Sequence, residues 1–397
     1  MKTKLLCLLL LTSGMSATMA EGAKVAAADN VFAFKLLKQI AQEEPAKNIF
    51  ISPYSAAAVL QMAANGAAGS TKTEMQAALG TTKLTDGDVN AGNREIIHDL
   101  NADNTNVVLN TANAIWVQKG FLVKPDFIAT NQSFFDATIG DLDFTSQQSV
   151  EVINQWASEK THGKIPSFLS QPPGEAMRLL LANAVYFKGK WADPFEAKDT
   201  HDEPFYLRDG SQKTVPLMRK TKTFTYRRGT GYQAVRLPYQ DENLAMYVFL
   251  PDTNSSPEKL LAIMSGDTWQ RITKPGFNEK KGTLELPRFK LDYSVILNQS
   301  LQALGMKLAF GPGKADFSGI ASSMAQLYIS KVLQKTFVEV KEEGTEAAAV
   351  TGIFALSAGI EMPPTDPFTM IVNRPFLFLI EDNKTGAILF MGVMFNP

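Results

Sequence analysis

Few side chains in this sequence could act chemically on a substrate. Its three histidines, His98, His162 and His201, stand in polar surroundings at unrelated spacings, so each is expected to be a surface or capping residue rather than a base or ligand. The single cysteine, Cys7, lies inside an apolar N-terminal run and leaves no thiol nucleophile in the rest of the chain. Neither a G-x-S-x-G elbow nor an H-E-x-x-H pair occurs. Gly311-Pro312-Gly313-Lys314 lacks the upstream glycine and downstream hydroxyl of a phosphate-binding loop and reads as a turn. Arg219, Lys220, Lys222, Arg227 and Arg228 could hold a sulfated polysaccharide, although a solvated strand face is the stronger reading. These residues predict no catalytic centre, metal site or cofactor site.

What chemistry the chain does offer belongs to a backbone segment. Lys341-Glu342-Glu343-Gly344-Thr345-Glu346-Ala347-Ala348-Ala349 follows an apolar strand pattern and opens a stretch, through Asn373, without lysine or arginine. At roughly 29 residues it far exceeds the usual connection of ~4–6, and connections of that length tend to be functional or disordered. Read at period two, Thr345, Ala347, Ala349, Thr351, Ile353, Ala355 and Ser357 share one face, and all but Ile353 are small. The other face carries Glu346, Ala348, Val350, Gly352, Phe354 and Leu356, with no proline before Pro363 to deny a ladder hydrogen bond. Fully extended, about 14 residues at ~3.3 Å each would span roughly 46 Å, the length of a large sheet. An Ala-rich helix after Glu343 competes with this strand, and local pattern alone leaves the two open. Gly344, Val350, Thr351, Gly352 and Pro363-Pro364 stand against the helix.

The elements that must position this segment follow from the rest of the chain. With 397 residues, 45% hydrophobic and 20% charged, the chain can bury a large core, and no linker divides it, so residues 21–397 are read as one domain. Lys2 and Lys4, the apolar run Leu5 to Leu11, and the small residues Ala17, Thr18 and Ala20 have the form of a secretory signal, residues 1–20, cleaved after Ala20. The expected location is therefore extracellular, or periplasmic in a Gram-negative cell. Without that segment the chain has 37 basic and 40 acidic residues, a net charge of −3, and no disulfide. Such a charge attracts neither nucleic acid nor an anionic membrane, and the expected partners of this monomer are proteins.

Apolar spacing predicts helices over Val31 to Ile40, over Ser55 to Gly66 with Ser55 as the capping residue, over Ser149 to Lys160 and over Asp292 to Leu304. Strands are predicted over Val107–Trp116, Leu179–Phe187, Gln233–Leu237, Leu244–Leu250, Gly282–Lys290, Leu327–Val340, Phe368–Val372, Phe376–Glu381 and Ala387–Phe395. Without strict alternation of strand and helix, the class is α+β with mixed or antiparallel sheets.

Five segments in order resemble one family. Asn48-Ile-Phe-Ile-Ser-Pro-Tyr-Ser55, Leu181-Ala-Asn-Ala-Val-Tyr-Phe-Lys-Gly-Lys-Trp191, Glu342-Glu-Gly-Thr-Glu-Ala-Ala-Ala349, Asn373-Arg-Pro-Phe376 and Phe390-Met-Gly392 resemble the signatures of the serpins. The resemblance runs from about Ala28 to Pro397. It implies three β-sheets, about eight to nine helices and an exposed reactive-centre loop near residues 344–372. It also implies a secreted suicide inhibitor of serine proteases, not an enzyme, that is cleaved in this loop and traps the covalent acyl-enzyme by inserting the loop into the large sheet.

On that resemblance Glu342, Gly344, Thr345, Glu346, Ala347, Ala348 and Ala349 form the hinge, and Ala358-Gly359 is the scissile bond, with Leu356-Ser357 and Phe354-Ala355 as alternates. Ser52, Ser55, Asn183 and Gln334 would bridge the sheet where its central strands part. Gln334 stands where the family commonly has a histidine. Trp191 would cover the point where the hinge enters, a plain core tryptophan being the competing view. No candidate residue before the bond is basic, which points to elastase-like or chymotrypsin-like targets. The alternative is a non-inhibitory serpin acting as carrier, chaperone or storage protein, although such members tend to have bulky or charged residues in the hinge.

Overall fold

The computed structural model describes residues 20–100, 107–240, 242–321, 327–345 and 366–397. Helix α1 (Glu21–Glu43) is followed by β1 (Ile49–Ile51), α2 (Pro53–Ala64), α3 (Gly69–Leu79) and α4 (Asp86–Leu100). Next come β2 (Val107–Gln118), α5 (Pro125–Phe135), β3 (Thr138–Leu142), α6 (Gln147–Lys160) and β4 (Leu179–Lys190). An antiparallel run follows, made of β5 (His201–Tyr206), β6 (Gln212–Gly229), β7 (Tyr232–Pro238) and β8 (Leu244–Pro251). Helices α7 (Pro257–Ile263) and α8 (Gly266–Gly276) lead to β9 (Asn278–Pro287), β10 (Phe289–Ile296) and α9 (Asn298–Ala303). The last strands are β11 (Ile329–Lys341), β12 (Gly344–Thr345), β13 (Phe368–Ile371), β14 (Phe376–Asp382) and β15 (Ile388–Met394).

Nine α-helices among the described residues and mixed sheets make the class α+β. One sheet has six strands in the order β10-β11-β12-β4-β2-β3. The other is a nine-stranded ladder in which β6, 18 residues long, joins what would otherwise be two sheets. Its first part pairs with β5 and its last with β7, while β9 covers the opposite edge. The three expected sheets are thus one free-standing sheet and two that share a strand.

Every residue of α2 is buried, as suits an Ala-rich helix that is apolar all round and lies between the two sheets. The sheets also meet where Phe187 of β4 packs on Phe390 of β15 and Phe289 of β10 on Phe378 of β14, and at ~1.5–3 kcal/mol for each fully buried side chain such contacts carry the fold without a disulfide.

Two local expectations are corrected. The cap of α2 is Ser52, whose hydroxyl accepts from the Ser55 N–H, because Pro53 takes the first helical position and places Ser55 inside the helix. Asp292 to Ile296 is strand rather than helix, since Phe289, Leu291 and Val295 are buried in alternation with exposed Lys290, Asp292 and Ser294; only Asn298–Ala303 is helical.

Candidate functional site

Three buried amides lie in one row across the six-stranded sheet. Asn113 on β2 stands opposite Asn183 on β4, and Asn183 stands opposite Gln334 on β11. Asn183 Nδ2 donates to Asn113 Oδ1 at 2.7 Å and to Ser55 Oγ, while Gln334 Nε2 donates to Asn183 Oδ1 at 2.6 Å and to the Ser52 carbonyl at 2.9 Å. Ser52 donates its N–H to Gln334 Oε1 at 3.0 Å and its hydroxyl to the Leu389 carbonyl at 2.7 Å. Thr336, two residues along β11, donates to the Phe50 carbonyl at 2.6 Å. The row ties β2, β4 and β11 to the first turn of α2 and to β15. Each such bond contributes a net ~0.5–1.5 kcal/mol, and a buried group left without a partner costs more, so the row holds these strands together.

At this row β4 and β11 pair directly and in parallel, over Leu179–Tyr186 and Ile329–Phe337. Beyond Tyr186 and Phe337 they separate, and β12 fills the gap. Thr345 pairs with Val340 on one side and Gly189 on the other, and Gly344 pairs with Lys341 and Lys190. Gly344 has φ 149°, and a Cβ there would lie 2.1 Å from the Gly189 carbonyl oxygen, so glycine alone fits this entry.

Glu342 and Glu343 make the turn into β12 and are held on all sides. Arg288 Nε donates to the two Glu342 carboxylate oxygens at 2.8 and 2.9 Å, and the Thr200 hydroxyl donates to the same carboxylate. Burial disfavours the charged carboxylate, but the Arg288 and Thr200 hydrogen bonds outweigh it and hold the Glu342 pKa below its ordinary value. The Trp191 and Phe195 N–H groups donate to the Glu343 and Glu342 carbonyls, each at 2.9 Å, and Trp191 Nε1 donates to the Lys341 carbonyl at 3.0 Å.

Residues 27–397 match the family Serpin (serine protease inhibitor). The chain belongs to the serpin family. It is 36% identical to the leukocyte elastase inhibitor of Sus scrofa over 94% of this chain and all of that one. Tengpin, a thermophilic serpin solved in its native state, superposes with a TM-score of 0.87 at 31% identity, covering 94% of each chain. Human thyroxine-binding globulin gives a TM-score of 0.86 at 27% identity, covering 95% of this chain and all of that one.

In this serpin the sequence-predicted Ser52, Ser55, Asn183 and Gln334 come together in one network, and Trp191, Glu342, Gly344 and Thr345 come together in another. The strands are joined at the first network and part only at the second. Glu346, Ala347, Ala348, Ala349, Phe354, Leu356, Ser357, Ala358 and Gly359 lie outside the described residues, as does the segment 1–19. Sequence reasoning missed Asn113, Thr336, Thr200, Arg288 and Tyr239. Asn113 left a trace as a polar residue in an apolar strand, but its partner is set by pairing between distant segments.

The basic residues of β6 are already engaged. Lys220 and Lys222 both reach Asp193, Arg228 holds Asp252 at 2.6 and 2.7 Å, Arg219 lies 3.5 Å from Glu285, and Arg227 Nε donates to the Tyr232 hydroxyl at 3.0 Å. A polyanion would have to displace these partners. Among the described residues no group of three or more His, Cys, Asp or Glu could hold a metal ion, and no helix is long and apolar enough to cross a membrane.

Proposed function

We propose that this serpin inhibits serine proteases by offering the segment after Thr345 as a substrate and then drawing it between β4 and β11. The observation that carries this reading is β12, two residues already paired with both strands at the mouth of the sheet. If the register of Thr345 opposite Gly189 continues as an antiparallel strand, Ala347, Ala349, Thr351, Ile353 and Ala355 come opposite Phe187, Val185, Asn183, Leu181 and Leu179. Small residues then face the large ones, and Thr351, with its hydroxyl, meets the amide row. The strand is complete at Ala355. Cleavage at Ala358-Gly359 or Leu356-Ser357 leaves enough chain to fill the sheet, whereas cleavage at Phe354-Ala355 falls short.

In the reaction the protease's serine oxygen attacks the Ala358 carbonyl carbon, the bond to Gly359 breaks, and the amine of Gly359 leaves with a proton from the protease. The ester stays at the end of the inserting strand. Each added backbone pair favours insertion, which carries the protease along and distorts its active site before water reaches the ester. A small apolar residue before the bond suits elastase-like or chymotrypsin-like enzymes, and the name of the porcine relative supports the same class. The inhibitor acts as a monomer that ends in a covalent complex.

The protein is exported on this reading. Support comes from the form of residues 1–20 and from the start of α1 at Glu21, the residue after the expected cleavage. Protein recovered from outside its producing cells is expected to begin at Glu21; material that still begins at Met1 would contradict export.

The inhibitory reading is tested by mixing the protein with pancreatic elastase and, separately, chymotrypsin. A complex that survives denaturing electrophoresis, with release of a C-terminal peptide beginning at Gly359, is expected. Cleavage without a complex from both enzymes would overturn the assignment and leave the loop a mere substrate.

A further inference from the structure

We infer that Tyr239 is a positioning residue for the hinge, its phenol holding Thr345 in the mouth of the six-stranded sheet before any protease arrives. This deepens the inhibitory reading above and rests on it for its functional consequence. Tyr239 is fully buried just beyond β7, at the turn into β8, where it forms a β-bridge with Trp191 past the end of β4 and so links the two sheets. Its own N–H donates to the Leu244 carbonyl at 2.9 Å, and the neighbouring Gln240 N–H donates to the Lys190 carbonyl at 2.8 Å, which fixes the turn against the end of β4.

The ring is held as firmly as the backbone. It stacks on Trp191 at 4.7 Å between centroids and meets the edge of Phe187 at 5.0 Å. A Cβ on Gly189 would lie 2.7 Å from the ring, so the glycine opposite Thr345 is also what admits the tyrosine. From this seat the Tyr239 hydroxyl shares a hydrogen bond of 2.9 Å with Thr345 Oγ1, and both residues are 0% exposed. Burial raises the phenol pKa well above its ordinary value and keeps the hydroxyl protonated.

Thr345 is the first residue that must enter the sheet, so the bond places the nucleating step of insertion before cleavage. Without it, the Thr345 hydroxyl is buried without this partner, the hinge withdraws, and insertion must nucleate while the acyl-enzyme is already exposed to water. The single hydroxyl at Tyr239 then decides how much inhibitor is spent as substrate.

The test uses the full chain with Tyr239→Phe, Thr345→Val, the double variant, and Thr345→Ser, which keeps a hydroxyl. In the uncleaved protein, amide hydrogen exchange at residues 344–345 is expected to be slow in wild type and Thr345→Ser. It should be at least about tenfold faster in Tyr239→Phe and Thr345→Val, and no faster still in the double variant. Against elastase, the moles of inhibitor consumed per mole of enzyme trapped should rise about two- to fivefold in the same two single variants. Unchanged exchange in Tyr239→Phe, or exchange as fast in wild type as in the variants, overturns the inference whether or not the protein inhibits. If the exchange pattern holds but wild type traps neither elastase nor chymotrypsin, the contact stands and the inhibitory reading fails.

Discussion

Gln334 ends the amide row on β11, and no member of that row titrates in the range of physiological pH. A histidine there would make opening of the sheet depend on its charge; a glutamine donates and accepts hydrogen bonds at every pH. The rate at which a synthetic peptide of residues 345–357 anneals into the sheet is therefore expected to be flat from about pH 5.5 to 8, and Gln334→His should give it a severalfold pH dependence centred near pH 6.5. A steep profile in wild type would contradict the role given to the row. Glu342 behaves differently. Its pKa is depressed in the folded protein, so its contribution to stability is complete at neutral pH and is lost as pH falls through the carboxylate range. Urea midpoints of Glu342→Gln and wild type should differ at pH 7 and converge below about pH 4. A difference that persists in acid would show that Arg288 and Thr200 hold something other than the charge.

At the scale of elements, the alternation of small residues after Thr345 has a partner in β4, where Val185 and Phe187 belong to the core that the inserted face would meet. Ala349→Arg places a charge opposite Val185 in the continued register. Covalent elastase complex should fall at least about tenfold while cleavage persists; undiminished complex would refute that register. Strong apolar patterns made α1, α2, α6, β2, β4, β8 and β14 legible in the sequence, whereas α3, α4, α5, α7 and α8 were not read from it. Asp292 to Ile296 was misleading because alternation over a few residues is compatible with a helical spacing too. The length of β6 was hidden by its many basic and threonine residues, which sit at exposed or half-buried positions between buried Val215, Leu217, Phe224 and Tyr226. Ser52, Ser55 and Asn183 were recognisable through their motifs. Asn113, Arg288 and Tyr239 were not, since each acts through a contact across a long sequence separation that no local pattern records.

For the whole molecule, β12 is a short wedge in a sheet that is otherwise closed. The direct pairing of β4 with β11 satisfies the backbone at rest, and a strand inserted between them would satisfy both edges while adding its own. On the proposed mechanism the resting state persists because opening the ladder and its amide row is slow, not because it is the most stable arrangement. Sequence composition supports such an arrangement only indirectly: a chain of 397 residues has core enough to hold a strained sheet without disulfides. The most direct test is thermal unfolding of the intact protein and of protein cut once between residues 355 and 359 by a non-target protease. About ten new ladder bonds at ~0.5–1.5 kcal/mol each predict that the cut form melts about 6 to 18 °C higher. If the cut form melts at or below the intact one, the loop does not enter the sheet and the proposed mechanism is wrong.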